Sequence, residues 1–416
     1  MYIHTIRACY INQNTGYFQF DTSLKDNRSD FKLPKIYVPW PLHQNMIYKE
    51  RYPGIPFHLN RDDEVHHKDT LQVLKPIEEE LRVHHEYLAG TYLMHRLFHD
   101  RRLSTNNIEE ADLCYPTCSA YAEGQTYELL DGNRLQFQVK PNTSSLASKE
   151  CSVWTIGIET LMTHCSFSVP YWHSIYYPSR SSGSLRHAAF QLLNASLRTK
   201  RLCYVGGMVR GIGRAKVIDE LYALNHYTAP QAMGTTLTKQ QLYSGFFNYT
   251  IRPGTDLNGN EWNTPQLFKR VWEMYATSIF SWQPEGDTET RRGFYDAWMM
   301  GCIPVISESA ACTYAGLFGG ALFRNAAPLE DIVIVLDDAV MYDAVGIMHH
   351  LAHITEAEIT LRRERMAKLA PFMQWGWSED STEDALIAAL RVLTLSLRPQ
   401  TTLFPGPNPV TDPLFY

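Results

Sequence analysis

The sequence predicts an α/β fold with mostly parallel sheets. In the second half of the chain, short apolar runs alternate with helical segments, which is typical of parallel strands joined by helices. Ser278–Ile306 alone has the pattern of strand, polar loop, helix and strand. Arg201–Val205 is another apolar strand, and a glycine-rich turn joins it to the predicted helix Lys216–Leu224. In open sheets of this kind, ligands bind beyond the carboxyl ends of the strands.

The chain has 416 residues, which is long enough for two domains of about 200 residues each. Residues 176–188 are the best linker candidate by composition, whereas residues 118–150 are polar and poorly patterned. We predict an N-terminal domain over residues 1–180, a C-terminal domain over 181–395 and a tail over 396–416. The other predicted elements are helices over Ile77–Asp100, Leu185–Thr199 and Ile354–Leu369, and strands over Lys35–Pro39, Val153–Leu161, Ser166–Pro170, Leu242–Phe247, Ile279–Trp282, Ile303–Ile306 and Asp331–Leu336.

Composition excludes several classes of protein. The net charge of −6 argues against a nucleic-acid-binding protein, because such proteins are usually basic. No run of about 20 apolar residues is present to span a membrane, and no signal peptide is expected from the residues at the N-terminus of this sequence. The eight cysteines are scattered and form neither a zinc motif nor a dense disulfide framework.

The loop after the predicted strand Ile279–Trp282 concentrates groups that suit a nucleotide. Carboxylates and hydroxyls there can bond ribose, and backbone N–H groups beside Gly286 can reach phosphates. The polar side chains of this loop are Ser281, Gln283, Glu285 and Asp287.

The helix that follows this loop begins with Thr290, Arg291 and Arg292. Two cations at a helix N-terminus oppose the helix dipole, which indicates an anionic ligand. The alternative is that one arginine pairs with a surface carboxylate. Asp296 either contacts the same ligand or pairs with Arg292 at i,i+4 spacing.

The glycine-rich turn Gly206–Arg214 is a second candidate anion site, because glycines let the backbone approach a phosphate closely. Arg210 and Arg214 lie in this turn, and their alternative role is that of solvated loop arginines. The spacing departs from G-x-G-x-x-G, which argues against a nicotinamide-dependent Rossmann enzyme.

Ser278–Ile306 resembles the donor-binding motif of the exostosin-like glycosyltransferases (glycosyltransferase family 47). Gly286-Asp287, Thr290-Arg291-Arg292, Asp296-Ala297 and Gly301–Val305 stand at the family's spacing. The Thr-Arg-Arg form most resembles the branch that contains the plant xyloglucan galactosyltransferases. One departure is that Ser281-Trp282 replaces the family's usual Cys-Leu. The resemblance covers roughly residues 33–395 and is strongest from 200 to 310.

The resemblance implies the GT-B architecture, in which two Rossmann-like domains face each other across a cleft. The C-terminal domain would bind a nucleotide-sugar donor, most simply a UDP-sugar, and the N-terminal domain a glycan acceptor. Arg210 and Arg214 would then bind the donor diphosphate. Transfer would be inverting and metal-independent, with no cofactor. Cellular members carry a Golgi anchor, so the expected location is the Golgi lumen if an anchor is missing from this chain, and the cytoplasm otherwise.

Two questions stay open at this level. The acceptor hydroxyl needs a general base, and Glu86, Asp112, Glu159 and His164 are the candidates. Without a base, the chain would be an inactive exostosin-like protein that binds a glycan or nucleotide. Asp337-Asp338 follows an apolar strand, as the D-x-D metal motif of GT-A enzymes does, but its spacing differs and it comes late in the chain. No metal site is therefore predicted.

Overall fold

The computed structural model describes residues 33–37, 100, 102–105, 107–114, 134–139, 153–157, 166–171, 198, 200–206, 212–226, 247–251, 274–286, 288–317, 328–373 and 384–397. Two sheets account for the strands in these ranges. Each sheet lies in one half of the chain, as the alternating pattern predicts. The linker candidate 176–188 falls outside the described residues, so the division into domains stays a prediction.

The first sheet has six strands in the order β2-β1-β3-β4-β5-β6. Strand β1 is parallel to β2 and β3, and β5 is parallel to β6, whereas β4 runs antiparallel to β3 and β5. The sheet is therefore mixed. The strands are β1 Ile36–Tyr37, β2 Ser104–Thr105, β3 Leu113–Cys114, β4 Arg134–Val139, β5 Val153–Gly157 and β6 Ser166–Ser168.

The second sheet has five strands, all parallel, in the order β11-β10-β9-β7-β8. In chain order this is the doubly wound 2-1-3-4-5 arrangement, whose direction reverses between its first and third strands. Here these are β7 and β9, so the topological switch point lies between them. The strands are β7 Lys200–Gly206, β8 Phe247–Ile251, β9 Ser278–Trp282, β10 Ile303–Ser307 and β11 Ile334–Leu336.

The described helices connect and cover the second sheet. They are α1 Ile212–His226, α2 Arg292–Met299, α3 Glu308–Ala315, α4 Asp338–Met341, α5 Ala344–Ala352, α6 Glu356–Leu369 and α7 Ala385–Leu397. Short 3-10 helices span Ile108–Glu110, Leu329–Asp331 and Ala370–Met373. Side-chain caps fix several starts: Ser307 accepts from the Ala310 N–H at α3, and Thr355 accepts from the Glu358 N–H at α6.

Side chains from both sheets share one hydrophobic core. Ile36 and Leu113 come from the first sheet, and Phe280 and Val305 come from the second. Trp282 and Trp298 are among the largest fully buried side chains, and each donates its indole N–H to a backbone carbonyl. Such bonds are needed because a buried indole N–H without a partner is costly.

The α/β class predicted from the sequence is confirmed. The predicted strands around Tyr37, Val153, Ser166 and Ile279 appear as β1, β5, β6 and β9, with bounds that differ by at most four residues. Strand β4 was not predicted, because it lies in the polar segment 118–150. The facing of two Rossmann-like domains across a cleft stays a prediction. None of the helices within the described ranges is long and apolar enough to cross a membrane.

Candidate functional site

The candidate site lies at the carboxyl edge of the second sheet, at the switch point between β7 and β9. Strand β7 ends at Gly206 and α1 begins at Ile212, while the loop Gln283–Gly286 follows β9. Ligands of doubly wound sheets bind in the crevice at this position. The fold therefore brings the end of β7, the start of α1 and the polar loop after β9 to the same edge of the sheet.

Glu285 is held through its backbone and its side chain. Arg214, a buried residue in the first turn of α1, donates from Nη2 to the Glu285 carbonyl. The Glu285 N–H donates to the Tyr342 hydroxyl. Its carboxylate oxygen Oε1 accepts from Ser307 Oγ at 3.0 Å and from Ser309 Oγ at 2.5 Å. Within the described ranges Oε2 has no hydrogen bond, which leaves a fixed acceptor for a ligand hydroxyl.

Arg291 joins the loops on both sides of the switch point. Its Nη1 donates to the Pro284 carbonyl at 3.1 Å and its Nη2 to the Val205 carbonyl at 3.3 Å. Its backbone N–H donates to the Tyr314 hydroxyl at 2.8 Å, and its guanidinium lies 5.5 Å from the ring centroid of Tyr204. These contacts give Arg291 a structural role, which does not depend on a bound anion.

Arg292 and Asp296 form a buried ion pair on α2. Arg292 Nε lies 3.4 Å from Asp296 Oδ2, and the two side chains are 5% and 3% exposed. This is the i,i+4 pairing that the sequence left as an alternative to ligand contact. Each charge therefore offsets the other inside the protein.

The three remaining polar residues that were predicted as site residues in this region are buried in the loop or beside it. Ser281, Gln283 and Thr290 are all buried. Gln283 Nε2 donates to Ser281 Oγ at 2.6 Å and to the Gly293 carbonyl at 3.1 Å. The Gln283 side chain thus joins the end of β9 to the start of α2. Gly286 is exposed, and its N–H donates to the Thr288 carbonyl at 2.9 Å in a tight turn.

Other predicted residues are placed elsewhere or lie outside the described ranges. Arg210, Asp287 and Glu86 are outside them, as are Glu159 and His164. Asp112 Oδ2 accepts from the Lys35 N–H at 2.8 Å, so it fastens the start of β1 to that of β3. Its role as a base stays a prediction, and this contact supports a structural alternative.

The acidic residues after β11 act on nearby backbone. Asp337 caps α4 by accepting from the Ala339 N–H at 2.8 Å, and Asp338 accepts from Ser309 N–H and Oγ at 3.2 and 3.0 Å. Over the described part of the chain, no group of three or more His, Cys, Asp or Glu side chains could hold a metal ion.

Ser307, Ser309 and Tyr342 are site residues that the sequence reasoning missed. Ser307 and Ser309 follow the strand Ile303–Ile306 at its carboxyl end, the same rule that singled out Glu285. That rule could have found the two serines. Tyr342 comes six residues after β11 and carries no motif, so only the folded structure brings it to the site.

Gly206→Ala is expected to lower the free energy of unfolding by about 1–3 kcal/mol. A Cβ at this position would lie 2.5 Å from Arg291 Nη2 and 2.6 Å from the Tyr204 hydroxyl, so the Arg291 bridge must move. Chemical denaturation measures the change. Gly286→Ala is the matched control, because its added Cβ meets nothing closer than 3.8 Å. Equal stability of the two variants would contradict this packing.

Comparison with known proteins shows where the chain has relatives. No family model matches it. It is 31% identical over 104 residues to "Probable xyloglucan galactosyltransferase GT13" of Arabidopsis thaliana, a match that covers 24% of this chain and 21% of that protein. "Xyloglucan galactosyltransferase MUR3" and "Probable xyloglucan galactosyltransferase GT19", from the same plant, are 30% and 32% identical over 103 and 104 residues.

These matches are partial. The chain spans 21%, 16% and 23% of the lengths of the three relatives. About a quarter of this chain takes part in each match, in agreement with a resemblance concentrated in one region. The resemblance to the xyloglucan galactosyltransferase branch, predicted from the Thr-Arg-Arg form of the motif, is therefore confirmed over about 100 residues.

Proposed function

We propose that the protein is a glycosyltransferase that moves a sugar from a nucleotide donor to a hydroxyl of a glycan acceptor. One observation carries the proposal most directly. The chain matches a named galactosyltransferase over 104 residues, and its Ser278–Ile306 motif lies at the switch point of a 2-1-3-4-5 parallel sheet, where nucleotides bind. The donor we propose is a UDP-sugar, with galactose favoured by the names of the relatives.

The site offers complementary groups for such a donor. The start of α1 and Arg214 in its first turn suit the diphosphate, since helix N-termini and guanidinium groups favour anions. The fixed Glu285 carboxylate suits hydroxyls of the donor. Arg291 and the Arg292–Asp296 pair keep the loop and helix in place around it. Such preorganised groups act on developing charge without reorganising during the reaction.

We propose a single displacement with inversion and without a metal. The acceptor oxygen attacks the anomeric carbon and forms the new glycosidic bond as the bond from that carbon to the phosphate oxygen breaks. The nucleoside diphosphate leaves with the electron pair, and a base takes the acceptor proton. The base candidates remain Glu86, Asp112, Glu159 and His164. An inactive binding protein is the alternative if none of them serves.

We propose that the protein works in an oxidising compartment such as the Golgi lumen. Cys114 and Cys312 are each disulfide-bonded, and structural disulfides persist mainly in secretory and extracellular environments. Mass mapping of peptides under non-reducing conditions tests the disulfides. Free thiols at both positions in native protein would remove the support for this location.

The proposed reaction is tested by nucleotide release from a panel of UDP- and GDP-sugars, each with xyloglucan oligosaccharides and mixed glycans as acceptors. Release from one donor, unchanged by EDTA, is the expected result, and NMR of the product should show inversion at the anomeric carbon. Release abolished by EDTA would overturn metal independence. UDP binding without any release would favour the inactive alternative.

A further inference from the structure

Tyr342 is an exposed aromatic residue fixed at the switch point. It follows α4 and is 37% exposed. Trp282 Nε1 donates to the Met341 carbonyl at 3.2 Å, which ties the preceding residue to the end of β9. A Cβ on Gly213 would lie 3.3 Å from Tyr342 Cδ1, so the ring covers the first turn of α1.

The Tyr342 hydroxyl is fixed as well, because it accepts from the Glu285 N–H. The side chain therefore reaches from the start of α1 to the loop after β9, the two segments that flank the switch point. Burial, followed by the nearby Glu285 carboxylate, raises the pKa of Tyr342. A ring held this way offers a contact surface at little cost in conformational entropy.

The groups around the ring are mainly acceptors of hydroxyl hydrogens. Glu285 and Asp338 are carboxylates, and they share the Ser309 hydroxyl at 2.5 and 3.0 Å. The nearby cation, Arg214, donates to the Glu285 carbonyl. A pyranose carries hydroxyl donors around its rim and apolar C–H groups on its faces, so it matches an aromatic ring bordered by carboxylates.

The position of Tyr342 near the proposed diphosphate site favours the transferred sugar, and not the nucleobase, as the group that packs on its ring. The start of α1 suits the diphosphate, and the transferred sugar is bonded directly to its second phosphate. A ring that covers Gly213 would therefore lie beside a sugar attached to a diphosphate that binds at the start of α1. The nucleobase is farther away along the donor, because the ribose separates it from the first phosphate.

We propose that Tyr342 is the residue on which the transferred pyranose packs, and that Glu285 and Asp338 select a neutral sugar over a uronic acid. This inference rests on the proposed glycosyltransferase function. Two further observations support the selection of a neutral sugar. Among the described residues, Glu308 and Asp337 add two carboxylates to Glu285 and Asp338 in this region. Desolvation, Asp337 and Asp338 together raise the pKa of Glu308, as expected where carboxylates crowd. A sugar carboxylate would meet the same repulsion.

Binding of UDP, UDP-galactose and UDP-glucuronic acid to the purified chain tests this inference. We expect Tyr342→Ala to lower the affinity for UDP-galactose about tenfold and to change the affinity for UDP less than about twofold, because only UDP-galactose carries the pyranose. Tyr342→Phe keeps the ring and should retain most of the UDP-galactose affinity. The unchanged protein should bind UDP-glucuronic acid about tenfold more weakly than UDP-galactose. Asp338→Asn should reduce this difference in affinity.

Controls separate this inference from the function on which it rests. Tyr222→Ala removes another exposed tyrosine, farther along α1, and should change no affinity. Equal weakening of UDP and UDP-galactose by Tyr342→Ala would assign the ring to the nucleotide and overturn the proposal, as would unchanged UDP-galactose binding. If the unchanged protein binds neither UDP nor any UDP-sugar, the proposed function itself fails. Thermal unfolding of each variant checks that the fold is retained.

Discussion

Replacing Asp296 with asparagine should lower the free energy of unfolding by about 3–5 kcal/mol, because it leaves Arg292 charged and buried without its carboxylate. Arg292 Nε and Asp296 Oδ2 are 3.4 Å apart, and both side chains are almost fully buried. Removing one member of such a pair costs far more than the pair contributes, since the remaining charge stays in a medium of low polarity. Urea denaturation of the variant and the unchanged protein measures the difference.

An exposed pair of the same spacing provides the control. Lys216 and Glu220 on α1 are 3.7 Å apart, and their side chains are 72% and 43% exposed. Glu220→Gln should therefore change stability by less than about 1 kcal/mol. The double variant Arg292→Met with Asp296→Leu should recover much of the stability lost by Asp296→Asn, because it buries neither charge of the pair. Similar effects of Asp296→Asn and Glu220→Gln would contradict the burial of the pair.

Local patterns in the sequence were sufficient to predict four of the five strands of the second sheet. The fifth strand, β8 Phe247–Ile251, shares only Phe247 with the predicted strand Leu242–Phe247. The segment Ser278–Ile306 contains an apolar strand, turn-forming residues, an amphipathic helix and a further apolar strand, and each of these appears as β9, the loop, α2 and β10. The rule that ligands bind at carboxyl ends then selected Glu285, which the structure holds rigidly at the switch point. The strand, loop and helix depend on residues that are close in sequence, whereas the bonds that hold Glu285 come from Ser307, Ser309 and Arg214, which are 22 to 71 residues away.

The roles of the arginines could not be predicted in the same way, because they depend on contacts between distant segments. Arg291 donates to Val205, which is 86 residues away, and Arg214 donates to Glu285, which is 71 residues away. A guanidinium has five N–H donors, so an arginine can donate equally well to a backbone carbonyl, a carboxylate or a phosphate. Its partner is decided by the folded chain.

In the first sheet, strand β4 also depends on contacts between distant segments and was not predicted from local patterns. Strand β4 pairs antiparallel with β5 through Leu135–Ile156 and Phe137–Trp154, although its sequence RLQFQV lies in a polar region. Alternation of Leu, Phe and Val with polar residues is the period of a half-buried strand, and it is short enough to be missed among polar neighbours. Pairing with β3 and β5 stabilises β4 as a strand, although its local sequence does not clearly favour that conformation.

Arg214→Met should reduce kcat/KM for the preferred nucleotide sugar by about 10²–10³-fold, if Arg214 stabilises the departing diphosphate as proposed. The guanidinium is buried in the first turn of α1, at the end of the helix that favours an anion, and it also holds the Glu285 carbonyl. Methionine retains much of the apolar stem but removes the charge. Steady-state kinetics of nucleotide release measures the loss.

Two measurements separate diphosphate contact from support of the loop. If Arg214 contacts the diphosphate, Arg214→Met should lower the affinity for UDP about tenfold or more. The affinity for uridine, which lacks phosphate, should change little. Arg201→Met is the matched control, because Arg201 also donates to backbone carbonyls, those of Leu351 and Ile354, but lies near the amino end of β7, away from the site. It should lower stability and leave kcat/KM within about threefold. If Arg214→Met weakened the binding of UDP and of uridine equally, Arg214 would support the loop at Glu285 without contacting the diphosphate. Another cation would then have to bind the diphosphate.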